Sequence, residues 1–78
     1  DEKKPDAPTG VKVDGSALTW TGAGPMFAVY KLDGTKKKAT LVGTTKDKKF
    51  SLPSKGTYLV TAISELNSES DASEQVTY

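Results

Sequence analysis

Gly56-Thr57-Tyr58-Leu59-Val60-Thr61-Ala62-Ile63-Ser64 is the stretch that decides the fold of this chain. A strand sends successive side chains to opposite faces. Tyr58, Val60 and Ala62 therefore share one side, and Leu59, Thr61 and Ile63 the other. Both sets are apolar or nearly so. A strand of that kind belongs in the middle of a sheet, with partners on either edge.

Working outward, the flanking sequence supplies those partners. Val11 and Val13 alternate with Gly10 and Lys12, Asp14-Gly15 follows, and then Leu18 and Trp20 alternate with threonines. Asp-Gly between alternating apolar runs is a hairpin signal, because both central positions of a type I′ turn need positive φ. This predicts strands at 10–14 and 16–21. Residues 26–32, rich in aromatic and β-branched side chains, form the third. A fourth is expected at 40–45, an edge strand whose flanking lysines discourage edge-to-edge association. Residues 49–52 give a short fifth strand stopped by Pro53, the stretch after Gly56 the sixth, and 72–78 the last. Seven short strands with closely spaced turn signals and no helical period predict an all-β sandwich or barrel. Residues 1–8 are charged, proline-bearing and aperiodic, and read as a linker from an upstream domain. Residues 9–78 are the domain.

Composition narrows the chemistry. At 78 residues a chain buries only about 60% of the surface its unfolded form exposes. Nearly every apolar residue is thus committed to the fold, with little left for a deep pocket. The sequence has no cysteine and no histidine, which removes disulfides, thiol chemistry, the commonest general base and the commonest zinc ligand. No apolar run is long enough to span a bilayer. Net charge is +1, unevenly placed: residues 31–55 hold eight lysines against Asp33 and Asp47, while 65–74 hold Glu65, Glu69, Asp71 and Glu74 and no base.

The order and spacing of several phrases resemble a fibronectin type III domain over residues 8–78. They are Pro8 before the first strand, Leu18-Thr19-Trp20, Phe27-Ala28-Val29-Tyr30, and Leu52 six residues ahead of Tyr58. Tyr58-Leu59-Val60-Thr61-Ala62 and the closing Asn67-Ser68-Glu69-Ser70 with Ser73 complete the pattern. The resemblance implies a seven-stranded antiparallel immunoglobulin-like sandwich in which Tyr58 forms a tyrosine corner, its hydroxyl bonding to backbone a few residues upstream. The chain lacks Arg-Gly-Asp, which argues against integrin adhesion. Its compact form is similar to C-terminal modules of secreted Bacteroides-type family 10-like glycoside hydrolases. That likeness implies a non-catalytic accessory module that spaces, packs or orients a catalytic domain, in an extracellular, cell-surface or periplasmic setting. The alternative is an independent binding or adhesion module for polysaccharide or a surface protein.

Individual side chains agree with a non-enzymatic reading. Trp20 shares a strand face with Leu18 and reads as core rather than as a sugar platform. All eleven basic residues are lysine, so no planar guanidinium fork exists for base or phosphate readout, and no nucleic-acid partner is expected. Lys36 to Lys38 read as a solvated loop. The acids 65, 69, 71 and 74 lack calcium-loop spacing, so no metal or cofactor is expected. The candidate interaction residues are Tyr30, Leu32, Leu59 and Ile63. Alternation places them on the outer face of two strands that neighbour one another in the resembled fold, and a contiguous apolar patch there suggests docking to the upstream domain.

Overall fold

The computed structural model describes residues 5–22, 24–32, 38–65 and 68–78. Its strands are β1 (Thr9–Asp14), β2 (Ala17–Thr21), β3 (Met26–Leu32), β4 (Ala39–Thr45), β5 (Lys49–Ser51), β6 (Thr57–Ile63) and β7 (Val76–Thr77). Two antiparallel sheets form, ordered β1-β2-β5 and β4-β3-β6-β7. β6 lies inside its sheet, paired with β3 along its whole length and with β7 at its start. β4 is an edge, as its lysine flanks predict.

Alternation along β6 and β3 seals the space between the sheets. Tyr58, Val60, Phe27 and Val29 are wholly buried and meet Leu18 and Trp20 from β2. Each such side chain contributes roughly 1.5–3 kcal/mol relative to exposure. Trp20 packs edge-on against Phe27, with ring centroids 5.6 Å apart at 68°, an arrangement that matches the ring quadrupoles. Trp20 is therefore core, although its Nε1–H finds no acceptor among the described residues. Gly43 on β4 leaves room for Phe50 from the opposite sheet, since a Cβ there would lie 2.9 Å from the Phe50 Cζ.

Three local features refine the expected elements. Asp14 pairs with Ala17, so the first turn is centred on Gly15-Ser16, one residue beyond the Asp-Gly pair. Gly15, at φ 65°, takes the position that needs a left-handed residue. Gly10, at φ 62°, sits where the β1–β2 register slips between Thr9 and Lys12, a bulge with glycine at its left-handed position. The last strand is much shorter than the expected 72–78: only Val76–Thr77 makes a regular ladder.

The cause of that shortening is a change of register. Ile63 bridges Glu69, while Tyr58 pairs with Val76. Five steps along β6 thus face seven along the C-terminal segment. Two serines absorb the mismatch. The Ser70 N–H donates to the Ala62 carbonyl at 2.8 Å, and the Ala62 N–H donates to Ser70 Oγ at 2.8 Å. Ser73 repeats the pattern on Val60, at 2.8 and 2.9 Å. A hydroxyl stands where a regular strand would offer a carbonyl, so the main chain of β6 remains bonded.

Candidate functional site

The β3–β6 register fixes the outer face of the four-stranded sheet. Tyr30 lies opposite Leu59, Leu32 opposite Thr57, and Ile63 opposite Met26. All four residues singled out from the sequence therefore share this face, but their exposures differ. Leu59 is buried at 7%, and Tyr30, Leu32 and Ile63 are half-buried.

The sequence reading passed over Leu41. It pairs with Tyr30 on the β4 side and is 53% exposed, the one large hydrophobic so exposed among the described residues. The β3–β4 register shifts between Val29 and Tyr30, leaving Val42 without an opposite number. Val42 packs against the core, and Leu41 faces outward. Adjacent Leu41 and Val42 in an edge strand were the available signal, since alternation sends one of any two neighbours out.

Glu69, which alternation along the named strands does not reach, closes over this face. The Tyr30 hydroxyl and the Thr61 hydroxyl each donate to the same Glu69 carboxylate oxygen at 2.6 Å. Tyr30 stands on β3 and Glu69 beyond β6, so the two side chains meet above β6 over Thr61. The hydrogen bond from Thr61, then that from Tyr30, holds the Glu69 carboxyl below its ordinary value of 4.5, against a smaller opposing push from burial. The Tyr30 phenol is raised above 10.0 by its bond to Glu69, then by burial and by the carboxylate charge.

These directions set the pH window of the network. The folded Glu69 value is depressed, so its contribution is present above the unfolded carboxylate value and disappears as pH falls through the folded one. The folded Tyr30 value is raised, so that contribution is present below the unfolded phenol value and disappears as pH rises through the folded one. Glu69 is exposed and Tyr30 only half-buried, and solvent screening keeps the effect on stability small. In an NMR pH titration, Glu69 is expected to titrate below 4.5 and to move the Thr61 and Tyr30 resonances with it. Glu69→Gln should abolish that step; a Glu69 value at or above the ordinary one would refute the network.

Charge is segregated around this face. Lys38, Lys46, Lys48 and Lys49 are exposed near β4 and the turn after it, while Glu65, Glu69, Asp71 and Glu74 are exposed at the opposite edge. Asn67 and the lysines at 36 and 37 lie outside the described residues. Among the described residues no cluster of acids has the geometry to hold a metal ion. A small cleft of about 100 Å³ lies between β1 and the C-terminal segment, lined by Pro8, Thr9, Gly10, Val11 and Glu74. That is below the ~300 Å³ at which ligand pockets usually begin.

The corner implied by the resemblance is present. The Tyr58 hydroxyl donates to the Ser54 carbonyl at 2.6 Å. Lys31, opposite Tyr58 in the register, places its ammonium 5.9 Å from the ring centroid and donates to Ser54 Oγ at 2.7 Å.

Solved structures share this architecture. The crystal structure of an Fn3-like protein from Clostridium thermocellum superposes with a TM-score of 0.76 at 22% identity, over 96% of this chain and 92% of that one. Domains A168-A170 of titin give 0.73 at 22% identity, over 95% of this chain and 32% of theirs. Titin kinase with its flanking domains gives 0.69 at 26% identity, over 96% of this chain and 17% of that one. No family model and no curated protein sequence matches the chain. The fold is an immunoglobulin-like β-sandwich of fibronectin type III type.

Proposed function

We propose that this domain is a non-catalytic accessory module that spaces, packs or orients the catalytic domain of a secreted or surface bacterial enzyme, a glycoside hydrolase. The observation that carries the reading is the outer face of the four-stranded sheet. Leu41 is open there, and Tyr30, Leu32 and Ile63 are half-covered around a sealed Leu59. A contiguous apolar surface on so small a domain favours burial against a neighbour, and an upstream domain of the same polypeptide is the nearest candidate. The titin kinase structure, in which domains flank a catalytic one, offers a precedent for that arrangement. An extracellular, cell-surface or periplasmic location belongs to the same reading.

The test uses a longer polypeptide that includes the upstream domain. Leu41→Lys with Ile63→Lys should split one unfolding transition into two and enlarge the scattering radius of gyration. Both sites are at least partly open, so the module itself should remain folded. Unchanged melting and orientation would end the docking idea. The second reading, polysaccharide binding, draws on exposed Lys12, Lys46, Lys48 and Lys49. It requires retention of the isolated domain on an acidic glycan, where a spacer passes through.

A further inference from the structure

The open edge of β4 differs in kind from the docking face and carries an inference that does not depend on what lies upstream. β4 pairs with β3 on one side and with no strand on the other among the described residues. Its seven residues, Ala-Thr-Leu-Val-Gly-Thr-Thr, bear no charge, and the first three are exposed in a row. An edge of unpaired N–H and C=O groups is a template for another strand. Exposed lysines stand at both ends: Lys38 before the strand, and Lys46, Lys48 and Lys49 after it, which outnumber the one exposed acid among them, Asp47.

We infer that this edge accepts an extended acidic peptide as an eighth strand, one whose uncharged, β-branched centre is bracketed by carboxylates. The charges choose the occupant. A second copy of β4 laid antiparallel would bring Lys38 of one chain beside Lys46 and Lys48 of the other. Laid parallel, it would bring like ends together. Either orientation sets ammonium against ammonium at both ends, so the edge is guarded against itself. A strand with acids at its ends meets lysines in either orientation.

Spacing fixes the length. Lys38 and Lys46 are eight residues apart, roughly 26 Å at about 3.3 Å per residue, so the carboxylates must bracket a segment of about five to seven residues. The ladder supplies affinity, and the flanking charges supply selectivity. The bulge at Val42 divides the edge, so the added strand bonds in two short runs on either side of it.

The experiment is amide NMR on the 15N-labelled 78-residue chain, titrated with the capped peptide Glu-Glu-Thr-Val-Thr-Val-Thr-Glu-Glu. The same peptide with lysine for every glutamate is the control. The acidic peptide should shift the amides of residues 39–45 and slow their exchange. Its affinity should fall at least about fivefold between low and physiological salt, where the Debye length shortens from ~30 to ~8 Å. Lys46→Glu with Lys48→Glu should weaken it by a similar factor, and the lysine peptide should leave 39–45 unmoved. The inference is overturned if both peptides bind alike, or if the acidic one moves only the lysine-rich turns. It is equally overturned if 39–45 shift with protein concentration alone, which would make a second copy the occupant.

Discussion

Replacing Ser70 and Ser73 together by alanine is expected to lower stability by about 2–6 kcal/mol. Each substitution deletes the acceptor of a buried main-chain N–H, that of Ala62 and that of Val60. An unsatisfied buried donor costs about 1–3 kcal/mol. The serines are themselves buried, at 7% and 9%, which restricts rehydration. The segment that carries them nonetheless forms the outer edge of its sheet, so any water that enters holds the cost to the lower half of the range. Each hydroxyl also donates onward, Ser70 to the Asp71 carbonyl at 2.8 Å and Ser73 to the Glu74 carbonyl at 3.0 Å. Both its roles vanish at once.

For 78 residues the whole folding free energy is roughly 4–12 kcal/mol, so the double variant should lose a large share of it. A shift of about 4–8 °C per kcal/mol puts its melting point more than about 10 °C below that of the parent chain. The single variants localise the effect. Amide exchange should speed up at Ala62 in Ser70→Ala and at Val60 in Ser73→Ala. Neighbouring rungs share backbone, so the two losses need not add. Single variants that both melt within experimental error of the parent would show that the hydroxyls do not complete the ladder.

These serines also mark where legibility from sequence stops. Alternation is a local property, and Tyr58, Val60, Ala62, Phe27 and Val29 declared their faces through it without any structural information. A hairpin turn is local too, and Asp14-Gly15 located the first to within one residue. Register between distant segments is not local. Nothing within 69–77 states that seven of its steps must answer five of β6, so the segment read as an ordinary strand from 72 onward. The spacing of Ser70 and Ser73, three apart where strand alternation expects two, was the visible trace. The same limit applies at the candidate face. The sequence placed Tyr30, Leu32, Leu59 and Ile63 on one side. It could not show that Tyr30 leans over β6 to Glu69 while Leu59 is sealed. Nor could it show that the bulge leaves Leu41 as the open apolar side chain.

Tyr58 gives the other large effect, and two substitutions separate its two parts. Tyr58→Phe removes the hydroxyl and keeps the ring. No buried donor is orphaned, because the donor itself is gone. Ser54 is exposed, so its freed carbonyl is rehydrated. The loss is therefore the net value of one hydrogen bond, about 0.5–1.5 kcal/mol, read as a melting point lower by several degrees. Tyr58→Ala empties the centre of the core, where the ring is wholly buried against its neighbours. Aromatic-to-alanine changes in cores cost about 3–5 kcal/mol, and the lost corner bond adds to that. Against a total of roughly 4–12 kcal/mol, this variant should be largely unfolded near body temperature. Lys31 gives an independent check, since its ammonium touches both the ring face and Ser54 Oγ. In Tyr58→Phe it keeps both contacts and the 54–58 turn should stay ordered, whereas in Tyr58→Ala the ring contact is lost. If Tyr58→Phe unfolds the chain as thoroughly as Tyr58→Ala, the hydroxyl rather than the ring organises the core, and the packing argument made for β6 is wrong.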